Sequence, residues 1–151
     1  MALWKDKYRI ETTRKTGRDY SEAGWYFVTI CERDKSPVFG TLVEGTVELS
    51  PLGELVARCW QQVPSDFDDV VLDEWIIMPD HFHALIWLDG SSLSQIINGF
   101  KGRVTRLNRQ EDLGDFTWQS RFHDRIIRTQ KELDAARHYI ITNPERLKDT
   151  P

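Results

Sequence analysis

The order of apolar segments along the chain predicts an α+β fold of the ferredoxin-like type, in which the elements run βαββαβ. The fold is one antiparallel sheet with the helices on one face. Four segments have the length and composition of strands, and two amphipathic segments lie between them. A third amphipathic segment, again with a helix-start signal, follows the last strand. We therefore expect the six-element core and one additional helix at its C-terminal end.

The first half of the chain contains the first strand, a hairpin and the first helix. Residues 24–32 are rich in β-branched and aromatic side chains, which favours a buried strand. Residues 40–50 alternate weakly and contain two glycines, which indicates a short hairpin. Ser50 followed by Pro51 is typical of an N-cap and first helical position. The helix that they open is expected to end near Pro64.

Two adjacent strands are predicted in the middle of the chain. Residues 69–78 are strand-like and stop at Pro79, and residues 81–88 form a second strand that ends at Gly90. Both segments are mostly apolar. The second is therefore expected to lie inside the sheet.

A capping box and a strand follow. Ser92 and Gln95 have the spacing of a capping box, which predicts a helix over roughly 93–109. Residues 116–128 contain the fourth main strand.

The last helix is marked by a second capping box, formed by Thr129 and Glu132. Its apolar side chains recur at helical spacing, so one face is expected to dock on the sheet. The helix is predicted over 130–142, because Pro144 is expected to stop it.

Length and composition bound the class of protein. The chain has 151 residues, of which 40% are hydrophobic and 29% charged, which fits one globular domain over residues 1–151. Its apolar runs are too short for a membrane helix, and its first residues lack the apolar region of a signal peptide. Cys31 and Cys59 lack metal-site spacing and are interpreted as buried, reduced thiols. We expect a cytoplasmic protein that does not bind membranes.

The charge of the chain gives two indications that conflict. A formal charge of −4 argues against nucleic-acid binding, because phosphate binders are usually basic. The charges are segregated, however, and segregation is typical of one basic face. Ordinary solvated surfaces are the alternative. The basic segments are 9–18, 101–109 and 120–128.

Two histidines share one side of a predicted strand. Residues two apart in a strand project from the same face, so His81 and His83 point one way and Phe82 the other. Neutral imidazole is the commonest metal ligand among side chains. The pair is therefore half of a possible metal site. A pair that only bonds to backbone or water is the alternative.

The last predicted helix carries a tyrosine and an amide on one face. Tyr139 and Asn143 are four residues apart, and Tyr139 lies at the edge of the apolar stripe. A tyrosine hydroxyl has a pKa near 10, so it becomes a nucleophile only with assistance. An amide oxygen can bind a hard cation. A packing tyrosine and a helix C-cap are the alternative interpretation.

Three motifs of the chain occur in the order and spacing of a known family. They are the H-x-H strand, the segment around the fourth main strand, and the segment that opens with Tyr139. In this combination the chain resembles the single-tyrosine HUH transposases, most closely the branch associated with repetitive extragenic palindromes (REP). The resemblance extends over about residues 24–148. The motifs are MPDHFHALI (78–86), WQSRFHDRIIR (118–128) and YIITNPE (139–145), supported by GWYFVTICERD (24–34), PVFG (37–40) and FKGRVTRLN (100–108).

The resemblance implies an enzyme that cleaves and rejoins single-stranded DNA beside a hairpin. His81 and His83 match the histidine pair, Tyr139 matches the catalytic tyrosine, and Asn143 matches the polar residue that completes the metal site. Family members bind Mg²⁺ or Mn²⁺ there. The tyrosine attacks the scissile phosphate, forms a 5′-phosphotyrosine bond and releases a 3′-OH. Because two imidazoles and an amide are a weak site for Mg²⁺, we expect poor metal occupancy without DNA.

Hairpin recognition in the family makes the basic segments candidates for phosphate contacts. Trp118 is interpreted as a buried side chain, with stacking on a base as the alternative. His123 is not assigned as a ligand. The candidate DNA-binding residues are Arg14, Lys15, Arg18, Lys101, Arg103, Arg106, Arg109 and Arg121.

The chain departs from the family pattern at Asp80, where relatives mostly have asparagine before the first histidine. An acidic side chain there is expected to alter the metal affinity or the pKa values of the site. Two other functions stay open: a DNA-binding relative without turnover, and a metal hydrolase of small substrates. The resemblance is compatible with a monomer or a homodimer. The short connection to the Tyr139 helix favours a helix that acts within its own chain.

Overall fold

The protein is described here by a computed structural model that covers residues 23–148, with side chains up to Asn143. The elements alternate in the predicted order, and the hairpin and a short additional helix are inserted around the first long helix. The strands are β1 (Gly24–Cys31), β2 (Gly40–Val43), β3 (Thr46–Leu49), β4 (Val71–Met78), β5 (His81–Leu88) and β6 (His123–Ile127). The helices are α1 (Pro51–Gln61), α2 (Val63–Asp66), α3 (Leu93–Glu111) and α4 (Gln130–Lys148).

The main sheet has four strands in the order β4-β5-β1-β6, and all neighbours are antiparallel. Strands β2 and β3 form a separate hairpin. The main strands and the helices α1 and α3 that connect them give the βαββαβ order, so the ferredoxin-like prediction is confirmed. Strands β5 and β1 lie in the centre. Residues of these two strands therefore have neighbours on both sides.

Each face of the sheet is covered by a different set of helices. Alternate residues of β1, such as Tyr26, Val28 and Ile30, pack with α1 and α3. The residues between them, such as Trp25 and Phe27, belong to a smaller cluster that includes the apolar stripe of α4. The period of two along a strand therefore separates a structural face from a face that α4 covers. We call the second one the α4 face.

The caps predicted from sequence start the long helices. Ser50 accepts a hydrogen bond from the Gly53 N–H at 3.0 Å, and Ser92 accepts one from the Gln95 N–H at 3.3 Å. Thr129 accepts one from the Glu132 N–H at 3.1 Å. These bonds satisfy amide groups that have no partner within the helix.

The prediction that Pro144 stops the last helix is wrong, because α4 continues to Lys148. A proline inside a helix removes the hydrogen bond from its own nitrogen to the carbonyl four residues earlier, here Ile140, and its ring crowds that carbonyl, but both effects are confined to one turn. The turns before it are docked through Leu133, Ala136 and Ile140, which are all buried. Packing of this stripe stabilises the helix more than local propensity does.

Cys31 and Cys59 are buried free thiols, as interpreted from sequence. In the part of the chain that the structure describes, we find no helix with the length and hydropathy needed to span a bilayer.

Candidate functional site

The histidine pair lies at the start of the central strand β5. His81 and His83 project onto the α4 face, and their ring centroids are 4.7 Å apart. Phe82 between them points to the other face, where its ring packs against Trp60 and Phe100. Burial of Phe82 determines which face of the sheet each side chain of β5 points to. The two imidazoles must therefore share the opposite side, as predicted.

Each imidazole uses its Nδ1 atom in a contact with a neighbouring side chain. The Nδ1 of His81 lies 2.6 Å from the Asp80 carboxylate, and the Nδ1 of His83 lies 2.9 Å from the Thr29 hydroxyl. Such partners fix the tautomer and the ring orientation of histidine ligands. They leave the Nε2 atoms of both rings as the available ligand atoms.

His83 is neutral at physiological pH. Its side chain is buried, and burial together with the nearby His81 lowers the pKa of His83 from 6.5 to about 4. A neutral imidazole carries the lone pair that a metal ion or a proton requires. The environment of the strand therefore holds His83 in the form that can act as a ligand.

Helix α4 brings Tyr139 to the histidine pair. The apolar stripe of the helix docks on Trp25, Leu85 and Ile127, and Tyr139 lies at the edge of this stripe with 38% of its surface exposed. Its ring centroid is 5.5 Å from that of His83 and 6.0 Å from that of Phe27. The sequence-predicted nucleophile and histidines thus meet on one face.

Asn143 follows Tyr139 by one helical turn and is buried, with 7% exposure. Within residues 23–148, no group of three or more His, Cys, Asp or Glu side chains is placed to hold a metal ion. A metal at this site would therefore depend on the two imidazoles, an amide such as Asn143 and ligands from outside the chain. The two free Nε2 atoms fit this role, since imidazole suits divalent transition metals and accepts others when oxygen ligands complete the site.

Strand β6 adds two side chains to the α4 face that were not assigned a role from sequence. His123 is opposite Thr29 and Arg125 is opposite Phe27 in the strand register. The Arg125 guanidinium lies over the Phe27 ring, 5.4 Å from its centroid. The alternation of the HDRII segment indicates that His123, Arg125 and Ile127 share one side of the strand, but Ile126 and Ile127 are both apolar, so the sequence does not show which side faces α4.

Helix α4 is fixed to the edge of the sheet by a buried ion pair. Arg137 donates two hydrogen bonds to the Asp73 carboxylate, at 2.9 and 2.8 Å. The side chains are 12% and 3% exposed. Asp73 lies in a β-bulge of the edge strand β4, between Leu72 and Trp75. The guanidinium also lies 5.7 Å from the centroid of the Trp25 ring.

The basic candidates of α3 lie on the other side of the sheet and differ in their contacts. Lys101 donates to the Gln119 carbonyl at 2.8 Å, and burial lowers its pKa. Arg103 pairs with Asp66 at 2.8 Å. Arg106 is exposed and lines a groove of about 570 Å³.

The groove lies between the C-terminal half of α3 and residues 114–120, and it is also lined by Arg109 and Trp118. Trp118 is buried, as interpreted from sequence. Arg121 is exposed just beyond the groove. The predicted contacts of Arg14, Lys15 and Arg18 fall outside the residues that the structure describes.

A ferredoxin-like sheet with a histidine pair on its central strand and a tyrosine helix docked beside it is the arrangement expected of a single-tyrosine transposase. Residues 53–143 match the sequence profile of the family described as "Transposase IS200 like". This match covers more than half of the chain. The chain therefore belongs to the IS200-like transposase family.

Two proteins of Haemophilus influenzae (strain ATCC 51907 / DSM 11121 / KW20 / Rd) are similar along most of their length. One, named only as an uncharacterized protein, is 29% identical over 149 residues, which cover 83% of each chain. The other is provisionally named a REP-associated tyrosine transposase. It is 29% identical over 160 residues, covering 89% of this chain and 81% of the relative.

A solved structure supports the fold. It is described as a REP-associated tyrosine transposase bound to a REP hairpin, and it superposes with a TM-score of 0.66 at 20% identity. The superposition covers 89% of this chain and 74% of the other. Together with the family match, it confirms the resemblance stated from the sequence motifs.

Proposed function

We propose that this protein is a metal-dependent single-stranded DNA nuclease and strand transferase that acts beside DNA hairpins. The observation that carries the proposal is the contact of Tyr139 with His83, at 5.5 Å between ring centroids, on the face that also presents His81. A half-exposed tyrosine beside two oriented imidazoles is suited to nucleophilic attack on a polymer that arrives from solvent.

Tyr139 is the proposed nucleophile. Its Oη forms a bond to the phosphorus of the scissile phosphodiester while the bond from phosphorus to the 3′ oxygen breaks. The tyrosine proton goes to solvent, and the leaving 3′ oxygen takes up a proton. The product is a 5′-phosphotyrosine. A second 3′-OH reverses the step and joins strands, and no water or ATP is consumed because the phosphotyrosine conserves the ester bond.

His81, His83 and Asn143 are the proposed ligands of a divalent metal, Mg²⁺ or Mn²⁺. When bound, such a metal stabilises the charge that develops on the phosphate oxygens. Asp80 and Thr29 hold the two imidazole rings through their Nδ1 atoms, which leaves both Nε2 atoms available to a metal ion. His83 remains neutral because it is buried. The protein therefore presents at least one uncharged nitrogen ligand, His83, before DNA arrives.

DNA is the proposed partner, in the form of a single strand with a hairpin. The support comes from the family, from the hairpin-bound structure with the same fold, and from the segregated basic side chains. Arg106 and Arg121 are exposed and available for phosphates. Lys101 and Arg103 would have to exchange their present contacts for DNA. Arg14, Lys15 and Arg18 remain candidates from sequence.

The proposal is tested with a labelled hairpin oligonucleotide that carries a single-stranded flank, incubated with protein and Mn²⁺. We expect a covalent adduct on a denaturing gel that disappears in Tyr139→Phe. Tyr26→Phe is the matched control, because it removes the same hydroxyl from the opposite face of the sheet. Tight hairpin binding without an adduct would instead support a catalytically silent DNA-binding module.

We also infer that one chain is sufficient for cleavage, because α4 docks on the sheet of its own chain. Mixing Tyr139→Phe with a His81→Ala/His83→Ala variant tests this inference. Neither variant has a complete site if the helix acts in cis, so the mixture is expected to be inactive. Recovery of adduct formation in the mixture would indicate a dimer that exchanges tyrosine helices.

A further inference from the structure

Arg125 lies on the same surface as the proposed nucleophile. Residues alternate along β6, and Ile127 packs under α4 in the cluster with Trp25. Arg125 is two residues earlier and therefore projects from the same face. Its strand neighbour is Phe27, whose ring contacts both His83 and Tyr139. Phe27 is thus a shared apolar surface between the guanidinium and the site.

The Arg125 guanidinium is available to a ligand. The residue is exposed, and among the described residues its side chain makes no ion pair and no hydrogen bond, only the contact over Phe27 at 5.4 Å. A contact between a cation and an aromatic ring at an exposed position is weak, about 0.5–1 kcal/mol. Arg137 of α4, which also lies on this face, is instead held by Asp73 and Asp134.

The charges around the site create a need for such a cation. The buried His83 imidazole and the Asn143 amide carry no charge, whereas the Asp80 carboxylate against His81 adds a negative charge. The basic side chains of α3 lie on the opposite face and do not reach this surface. A phosphate that comes to Tyr139 would therefore meet an acidic group on one side. On the other side of the site, next to Phe27, the exposed cationic side chain is that of Arg125.

We propose that Arg125 binds the phosphate that Tyr139 attacks, through two hydrogen bonds from its guanidinium to the non-bridging oxygens. This inference rests on the function proposed above. Arg125 exchanges no proton in the step. It holds the phosphate against Tyr139, and it stabilises the charge that these oxygens carry while the tyrosine bond forms and the bond to the 3′ oxygen breaks. Such a group acts on the reacting atoms, so it is a catalytic residue.

The first measurement is the single-turnover rate of adduct formation with Arg125→Gln and Arg125→Lys. Loss of one phosphate-stabilising donor group lowers rates on the order of 10²- to 10³-fold, and we expect this range for Arg125→Gln with the affinity for the hairpin changed only a few-fold. Arg125→Lys keeps the charge without the fork and should recover part of the rate. Arg58→Gln, which removes an equal charge from α1, is expected to react at the wild-type rate.

The second measurement does not need cleavage. In the Tyr139→Phe background, a single neutral methylphosphonate is moved along the flank of the hairpin, and binding is measured with Arg125 and with Arg125→Gln. A direct contact makes the two changes non-additive at one phosphate. We expect this coupling at the phosphate where the wild-type protein cleaves.

The two measurements separate the two proposals. Coupling at one phosphate without any wild-type adduct would contradict the nuclease and leave the phosphate contact of Arg125 in place. Absence of coupling at every position overturns the role of Arg125, whether or not the protein cleaves. An Arg125→Gln variant that forms the adduct at the wild-type rate overturns it as well.

Discussion

Removal of the Asp73 carboxylate is expected to loosen the helix that carries Tyr139. Asp73 and Arg137 form two hydrogen bonds, and their side chains are only 3% and 12% exposed. Asp73→Ala leaves the buried guanidinium with only the exposed Asp134 carboxylate, 3.7 Å away, as an ionic partner. Breaking a buried pair in this way costs up to about 3–5 kcal/mol. The total stability of a typical domain is about 5–15 kcal/mol. The variant should therefore lose a large part of its free energy of unfolding.

Urea unfolding measures this loss, provided that the dependence of the unfolding free energy on urea concentration is the same for the wild type and the variant. A double-mutant cycle shows how much of the loss belongs to the interaction between Asp73 and Arg137. Arg137→Met alone leaves a buried carboxylate and should cost a similar amount. Asp73→Ala combined with Arg137→Met removes both charges, so its cost should be smaller than the sum by about 2–3 kcal/mol. Arg58→Met is a control, because its ion pair with Glu111 is exposed and should contribute less than about 1 kcal/mol. Additive single and double variants would refute the reasoning.

The same variant has a consequence for the site. Arg137 and Tyr139 lie on opposite flanks of the docked stripe of α4, so the ion pair restrains rotation of the helix about its axis. A roll of about 10° moves a side-chain tip at a radius of roughly 6 Å by about 1 Å. A displacement of about 1 Å can cost on the order of 10²-fold in rate. Adduct formation by Asp73→Ala, measured well below its unfolding transition, should fall by that order, and a wild-type rate would contradict the restraint.

Three further predictions follow from the geometry. The pKa of His83 is lowered from 6.5 to about 4 in the folded protein, so between these pH values the unfolded chain binds a proton that the folded chain excludes. The stability that the protein gains from a neutral His83 is therefore complete above pH 6.5, and the free energy of unfolding falls by about 3 kcal/mol as the pH approaches 4. Urea unfolding of metal-free protein should show it, with a shallower pH dependence in His83→Gln; equal profiles would contradict the burial argument. Gly53→Ala should destabilise the protein by about 2–3 kcal/mol, since its Cβ would lie 2.0 Å from the Phe39 carbonyl oxygen. Gly99→Ala meets nothing within 4 Å and should stabilise the protein by about 0.5–1 kcal/mol, because alanine has the higher helix propensity. Thermal unfolding of both variants separates the steric effect from helix propensity, and equal shifts in melting temperature would count against the close approach at Gly53. Chelation of divalent metal should suppress adduct formation while hairpin binding persists, and Asn143→Ala should do the same at low Mn²⁺. Undiminished adduct formation in the presence of chelator would show that the reaction does not require the metal.

Much of the fold could be predicted because its signals are local. The caps at Ser50, Ser92 and Thr129 lie next to the helices that they start, and the alternation around Phe82 determines which way the histidines point. The family motif predicted Tyr139, and the structure brings it to the pair. These features depend on spacings of two to four residues, which a sequence displays directly.

The features that were not predicted depend on pairing between distant segments. Asp73 and Arg137 are separated by 64 residues, and the bulge that directs Asp73 exists only in the register of β4 against β5. The position of Arg125 beside Phe27 likewise follows from strand order. Helix α4 extends beyond its predicted end because a proline disturbs only its own turn, whereas the preceding turns are stabilised by packing on the sheet, which the local sequence does not display.

The bulge in β4 also bears on how copies of this protein avoid one another. Strand β4 is an edge of the sheet, and an uninterrupted edge offers a row of free amide and carbonyl groups to any other strand. The extra residue between Leu72 and Trp75 breaks that row, and it leaves the charged Glu74 exposed beside it. The kink that directs Asp73 toward the tyrosine helix thus also protects the chain against edge-to-edge aggregation.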